Sequence, residues 1–362
     1  MNDVELDAPE DSIAWKLAAH YLKPVAHHFD NPGVTSIAVN RWDTVFIREN
    51  GSWTRTRDRF LSEDHLVSCI SQIVNNLNQV IDPKTNPIAD ARLKDGSRLN
   101  AVLYPTAHTG SNMTIRIFPK VRYSMEDLLE RGAMNEDMLK LFRLAVAVEY
   151  NILVSGATGS GKTTILNAMG NLIPDDRRVG VIEDTAELKI NKSNIVSMEA
   201  PKRILNRETG QMSISMQELL VNTLRQELRN IIIGEVREAS AATAVMLALN
   251  TGHRGVLSTL HANSPVDALS RLINMLLSND TRIPYDAVVR EIYGNFDMVI
   301  QCENTPRHKQ RIVAVSEVTD GKLYPLWGWD YVAGKHKCLY APSHRNARVV
   351  EFAARYGLEV DL

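Results

Sequence analysis

Residues Gly156-Ala157-Thr158-Gly159-Ser160-Gly161-Lys162-Thr163 satisfy G-x-x-x-x-G-K-[ST] at every fixed position. The chemistry of such a run is phosphate binding. Glycines let successive backbone N–H groups turn inward around an anion, and a following helix adds its positive dipole end. The Lys162 ammonium reaches the β- and γ-phosphates of a nucleotide, and the Thr163 hydroxyl ligates Mg²⁺. The flanks supply the context the motif requires. Ile152 to Ser155 reads as an apolar strand, and from Thr164 onward Ile165, Leu166, Ala168, Met169 and Leu172 recur as in a helix. A phosphate loop alone does not choose the nucleotide. A guanine reader would be N-K-x-D, and the nearby Asn191-Lys192-Ser193-Asn194 carries Asn where that motif requires Asp.

Three more polar groups follow apolar, β-branched runs. Ile182-Glu183-Asp184-Thr185-Ala186-Glu187-Leu188 puts Glu183, Asp184 and Glu187 at the end of a strand. That is the edge where parallel sheets bind ligands, and a carboxylate there can orient or deprotonate an attacking water; a solvated acidic turn has the same composition. Ile231-Ile232-Ile233-Gly234-Glu235-Val236-Arg237 is an apolar strand ending in an acid, the pattern that holds Glu235 beside Mg²⁺ and water, or simply caps the strand. His253 precedes and His261 follows the run Gly255 to Leu260, so His261 stands where it can touch a γ-phosphate. The eight-residue step between the two histidines is not a local metal-ligand spacing.

These runs imply strands buried on both faces of a mostly parallel sheet, separated by helices, from residue 135 to the C-terminal end. Before it, residues 1–120 read as a smaller α+β domain. That domain has a helix within 12–30, strands over 35–40, 45–47 and 52–57, and a helix capped by Ser62 with Leu66, Ile70, Ile73, Val74 and Leu77 on one face. Further strands fall at 98–104 and 113–118, and residues 121–134 are the connection between the domains. Residues 200–217 read as a polar loop. Trp327, Trp329, Tyr331 and Tyr340 suggest a small β appendage or a partner surface.

The chain has 362 residues, with 41 Lys and Arg against 43 Asp and Glu. The net charge of −2 excludes a wholly basic nucleic-acid coat and an acidic disordered tail protein. Cys69, Cys302 and Cys338 form no C-x-x-C pair and read as reduced thiols. The acidic start Met1-Asn2-Asp3-Val4-Glu5 is unlike a signal peptide, and no apolar run reaches the ~18 residues of a membrane span. These features predict a cytoplasmic protein whose membrane contact is peripheral.

In their order, the phosphate loop, I-E-D-x-x-E-L, I-I-I-G-E-V-R and T-G-H…S-T-L-H-A-N-S resemble the bacterial type II/type IV secretion (traffic) ATPases over residues 31–318. The His253–His261 step resembles the type IV secretion and conjugal-transfer branch. So do Asn31 to Asn40, Asp95-Gly96-Ser97-Arg98-Leu99-Asn100-Ala101 and Thr114-Ile115-Arg116-Ile117. The resemblance implies a RecA-like P-loop domain below a sensor-like N-terminal domain in a homo-hexameric ring. Such a ring turns over ATP with Mg²⁺ and works at the inner membrane with secretion or conjugation machinery and coupling ATPases, without a direct need for nucleic acid. It further implies Glu187 as general base, Glu235 as the acid acting on Mg²⁺ and water, and His261 as γ-phosphate sensor. Arg98 and Arg116 would reach nucleotide phosphates, and Glu183, Asp184, Arg237 and His253 would join the nucleotide site. One segment departs from the family. Leu224-Arg225-Gln226-Glu227-Leu228-Arg229-Asn230 keeps the first Arg of an L-R-x-R-P-D-R pattern, places Glu227 at the second and lacks Pro-Asp. Two other classes stay open on residues alone: a nucleic-acid translocase or helicase with a RecA-like core, and a low-turnover, nucleotide-regulated assembly scaffold.

Overall fold

A computed structural model of the chain describes residues 13–49, 51–77, 79–118, 123–200, 214–279, 283–305, 309–339 and 354. Contacts divide the chain into Met1–Arg122 and Tyr123–Leu362.

In the first unit the chain runs through α1 (Ile13–Tyr21), a 3-10 turn (Ala26–Asp30), β1 (Val34–Arg41), β2 (Thr44–Glu49), β3 (Ser52–Arg55) and α2 (Glu63–Asn76). It ends with β4 (Ile88–Arg92), β5 (Arg98–Val102) and β6 (Asn112–Arg116). The helix expected across 12–30 stops at Tyr21. Pro24 accounts for this, because it has no N–H to donate and disfavours helical backbone at Lys23. Ser62 caps α2, its Oγ accepting from the His65 N–H at 3.1 Å. The strands form one antiparallel sheet in the order β3-β2-β1-β6-β5-β4. Ile37, Val39, Leu99, Met113 and Ile115 bury one face of it in a core shared with Leu66, Ile70, Ile73 and Val74 of α2.

The second unit begins with α3 (Met125–Glu130), α4 (Glu136–Ala147), β7 (Ile152–Gly156), α5 (Lys162–Asn171), β8 (Val179–Glu183), β9 (Ile195–Glu199), α6 (Met216–Thr223) and β10 (Asn230–Val236). It continues through α7 (Ala239–Asn250), β11 (Val256–Leu260), α8 (Pro265–Asn279), α9 (Tyr285–Asn295), β12 (Met298–Thr305), β13 (Lys309–Thr319), β14 (Lys322–Asp330) and β15 (Lys335–Cys338). The sheet order is β15-β14-β13-β12-β7-β11-β10-β8-β9, parallel from β12 to β9 and antiparallel from β12 to β15. Alternate residues of the central strands feed two cores. Ile152, Val154, Val181 and Ile232 meet α4 and α5, while Leu153, Ile182, Ile231 and Ile233 meet α6 to α9.

Two boundaries differ from those the sequence suggests. Residues 121–122 lie outside the described residues, but Met125 and Leu128 of α3 are buried in the second unit's core, so the stretch from Tyr123 is part of that unit. Of the tail past residue 320, the described residues 321–339 are no separate appendage: β14 and β15 extend the main sheet, and Leu326 and Trp327 are buried in its core. Of the 200–217 loop, 201–213 lie outside the described residues. Its end, Ser215, caps α6 reciprocally with Glu218. Tyr340 also lies outside the described residues.

Candidate active site

The parallel strands bring the ends of β7, β8, β10 and β11 to one sheet edge. Leu260 pairs with Ser155 and with Val236, and Ile233 pairs with Ile182, so Gly156, His261, Glu235 and Glu183 converge there. A bulge adjusts β10. Ile233 faces Ser258 and Val236 faces Leu260, so β10 has one residue more than β11 across this interval. Gly234 is needed inside the bulge because a Cβ there would lie 2.9 Å from Glu183 Cγ. The Gly234 carbonyl accepts from Thr259 Oγ1 at 2.6 Å.

The loop has the form of an anion cradle. Gly156, Gly159 and Gly161 have φ of 153°, 76° and 97°, values glycine tolerates best. A Cβ on Gly156 would strike the Cys302 carbonyl oxygen at 2.3 Å, whereas one on Gly159 would meet nothing within 4 Å. The cradle therefore rests on β12 beneath and is open above. Ala157, Thr158 and Gly159 are exposed, Ser160 is buried, and Thr163 and Thr164 lie half-buried in the first turn of the ten-residue helix α5. Hard oxygen donors for Mg²⁺ stand at the same edge: the Thr163 hydroxyl and the Glu235 carboxylate, with Asp184 and Glu187 on the β8 loop. That donor set fits a small hard cation.

Lys162 is buried. Its Nζ donates to the Ala157 carbonyl at 3.0 Å and lies 3.2 Å from His261 Nδ1. On the other side of the ring, His261 Nε2 lies 2.7 Å from Glu235 Oε1. An ammonium only donates, so Nδ1 accepts in the Lys162 contact, while the Nε2 contact is a close approach in which Glu235 Oε1 takes no hydrogen bond. The ring's pKa lies below the ordinary histidine value. Burial is the main cause, Glu235 and the Gly156 carbonyl oppose it, and the Lys162 and Arg237 cations add to it. His261 is thus a neutral link between a cation and a carboxylate.

Arg237 continues the chain, Nη2 donating to Glu235 at 2.7 Å and Nη1 to Asp184 at 2.6 Å. It clamps the two acidic boxes together. Glu183 is not aimed at a nucleotide. It is 4% exposed, and its Oε1 accepts from the backbone N–H groups of Glu187 at 2.8 Å and Leu188 at 3.0 Å. Burial pushes its carboxyl up to about 7, with the N–H bonds opposing and the Glu187 and Asp184 charges adding. Glu183 therefore holds the loop that presents Glu187.

His253 does not join this edge. It precedes β11 while His261 follows it, so it sits at the opposite end of the strand, roughly 16 Å away by strand rise. There its Nδ1 lies 3.2 Å from Thr251 Oγ1. The altered segment falls at that same far edge. Glu227 has a left-handed φ of 53°, and Arg229 Nε bonds Glu149, whose carboxylate also lies 3.5 Å from buried Arg177.

In the first unit, Arg98 and Arg116 are direct cross-strand partners, and Arg92 of β4 faces Arg98 from the other side. Arg92 was not legible as a neighbour of this pair, because its strand, Ile-Ala-Asp-Ala-Arg, carries alanines at the buried positions.

With this geometry established, known proteins supply the context. The family described as "Type II/IV secretion system protein" matches residues 19–310. The chain belongs to that family. Among curated relatives, the type IV secretion system protein VirB11 of Brucella suis is 29% identical over 323 residues, covering 81% of this chain and 88% of its own. The probable conjugal transfer protein TrbB of Sinorhizobium fredii is 29% identical over 299 residues, covering 81% and 86%. Among solved structures, the ATPase DotB of Legionella pneumophila aligns with a TM-score of 0.59 at 21% identity, over 83% of this chain and 82% of that one. The pilus retraction motor PilT with bound ADP gives 0.56 at 16%, over 92% and 87%. At those identities the two structures establish the fold: the second unit is a RecA-like α/β domain, as the resemblance implies.

Proposed function

We propose that this chain is an ATP-hydrolysing motor of a bacterial type IV secretion or conjugation system, acting as a homo-hexameric ring. The observation that carries the proposal is the contact chain Lys162–His261–Glu235–Arg237–Asp184 beside a phosphate loop. The relatives named VirB11 and TrbB support the setting. The ring works in the cytoplasm, peripheral to the inner membrane, with the system's membrane proteins and coupling ATPases as partners. Nucleic acid is not directly required. Among the described residues no helix is long and apolar enough to cross a membrane.

Phosphoryl transfer to water asks the protein mainly for positioning and charge stabilisation. The loop N–H groups from Gly156 to Thr164 hold the phosphate chain. The Lys162 ammonium exchanges its Ala157 carbonyl for β- and γ-oxygens. Thr163 and Glu235 would hold Mg²⁺, which offsets charge on the transferring phosphoryl group. Glu187, presented by the loop that Glu183 fixes, orients and deprotonates the attacking water. His261 reads the γ-phosphate through Lys162: once the ammonium moves, Nδ1 loses its donor, and the change passes through Glu235 to Arg237 and Asp184. Arg98 and Arg116 bind nucleotide phosphate.

The deciding experiment measures ATP turnover against protein concentration, with particle size followed in parallel. Specific activity should rise as rings assemble and vanish in Lys162→Ala at every concentration. Turnover that is independent of assembly would remove the ring motor, and turnover that requires added DNA or RNA would favour a nucleic-acid translocase.

A further inference from the structure

His27 and His28 sit side by side in the 3-10 turn of the first unit, with ring centroids 4.0 Å apart. Both Nε2 atoms face one carboxylate: His28 Nε2 lies 2.7 Å from Asp58 Oδ2, and His27 Nε2 lies 3.7 Å from Asp58 Oδ1. All three ligand atoms lie within 4.8 Å of one another. We propose that His27, His28 and Asp58 form a binding site for a divalent transition metal of the zinc class.

The spacing fits such an ion. Metal–ligand bonds of about 2.0–2.1 Å place neighbouring ligand atoms roughly 3.3 Å apart on a tetrahedron. The two histidine approaches, 2.7 Å to Asp58 Oδ2 and 3.7 Å to Asp58 Oδ1, lie either side of that value. Two imidazoles and one carboxylate suit Zn²⁺ and its neighbours, whereas Mg²⁺ and Ca²⁺ favour all-oxygen sets. The ligands come from prearranged backbone. The 3-10 turn is closed by His28 N–H to the Val25 carbonyl at 3.1 Å and anchored by buried Phe29. The Asp58 segment is held by its own N–H to Thr56 Oγ1 at 3.2 Å and by Phe60 N–H to the Trp42 carbonyl at 2.7 Å. Occupied, the site would clasp the turn ahead of β1 to the segment after β3. Adjacent histidines and an aspartate thirty residues on match no local ligand spacing; the fold brings them together.

The test is calorimetric titration of the full chain with ZnCl₂ in metal-depleted buffer containing excess Mg²⁺, which occupies oxygen-only sites. The wild type should take one Zn²⁺ per chain that His27→Ala and Asp58→Asn each weaken by about a hundredfold, no less than losing an outer-shell partner costs. Cys338→Ser, which removes the exposed thiol, should leave that affinity unchanged. Zn²⁺ should raise the wild-type melting temperature and not that of His27→Ala. Absence of stoichiometric binding, wild-type affinity in both ligand variants, loss in only one of them, or loss in Cys338→Ser would each overturn the assignment. His27 is the more exposed ligand, so its variant carries the test if Asp58→Asn fails to fold.

Discussion

Replacing Glu183 by Gln should change how stability depends on pH. The buried carboxyl titrates at about 7 instead of its ordinary 4.5. Between those values the folded chain keeps a proton that the unfolded chain has released. Stability therefore falls as pH rises through that window, and the loss is complete above the folded value. At 1.36 kcal/mol per pKa unit, the loss from about pH 5 to about pH 8 comes to about 3 kcal/mol. For a unit of this size that is roughly 6–12 °C in Tm. Glutamine keeps a carbonyl oxygen for the Glu187 and Leu188 N–H groups and removes the titration. Any fixed cost of the amide cancels when each protein is compared with itself, and other titrating groups cancel between the two proteins. Calorimetric melts of the full chain at both pH values should show the wild type losing the larger share. Parallel pH profiles would refute the reasoning, showing that Glu183 is either ionised at no cost or not buried as described.

Lys162→Ala should abolish ATP turnover while the far-ultraviolet circular dichroism stays native, because the loop's shape depends on its glycines and on β12. Glu187→Gln should bind a fluorescent ATP analogue normally and hydrolyse ATP at least ~10²-fold more slowly; if Glu235→Gln behaves so and Glu187→Gln does not, the base is misassigned. Glu149→Ala should destabilise the second unit by about 3–5 kcal/mol, read by denaturant melts, because it strips the carboxylate from buried Arg177. Gly156→Ala should lower both stability and nucleotide binding, since its Cβ would lie 2.3 Å from a backbone oxygen; unchanged nucleotide binding would show that the loop tolerates the shift.

The phosphate loop was legible because its chemistry is contiguous: eight residues, one strand and one helix. The acidic and histidine boxes were legible as strand ends, since strand polarity alone decides which edge a residue reaches. By that same polarity His253 belongs to the far edge, and grouping it with His261 overrode the geometry. Glu183 and Glu187 look equivalent in sequence. Burial separates them, and burial depends on Gly234 of another strand leaving room for the Glu183 side chain. The β10 bulge has no sequence signature beyond a glycine in a strand. The antiparallel strands β14 and β15 read as an appendage or a partner surface because aromatic, turn-rich sequence does not reveal which sheet it will join.

The loop-bearing strand β7 has four strands on one side, β11, β10, β8 and β9, and four on the other, β12 to β15. Sheets fray from their margins, so opening free energy rises toward the middle. The antiparallel ribbon moves one margin three strands outward from β12, leaving the nucleotide cradle on the segment that amide exchange should find slowest to open. A sheet built this way can flex at its margins while the backbone of the glycine-rich loop keeps its shape.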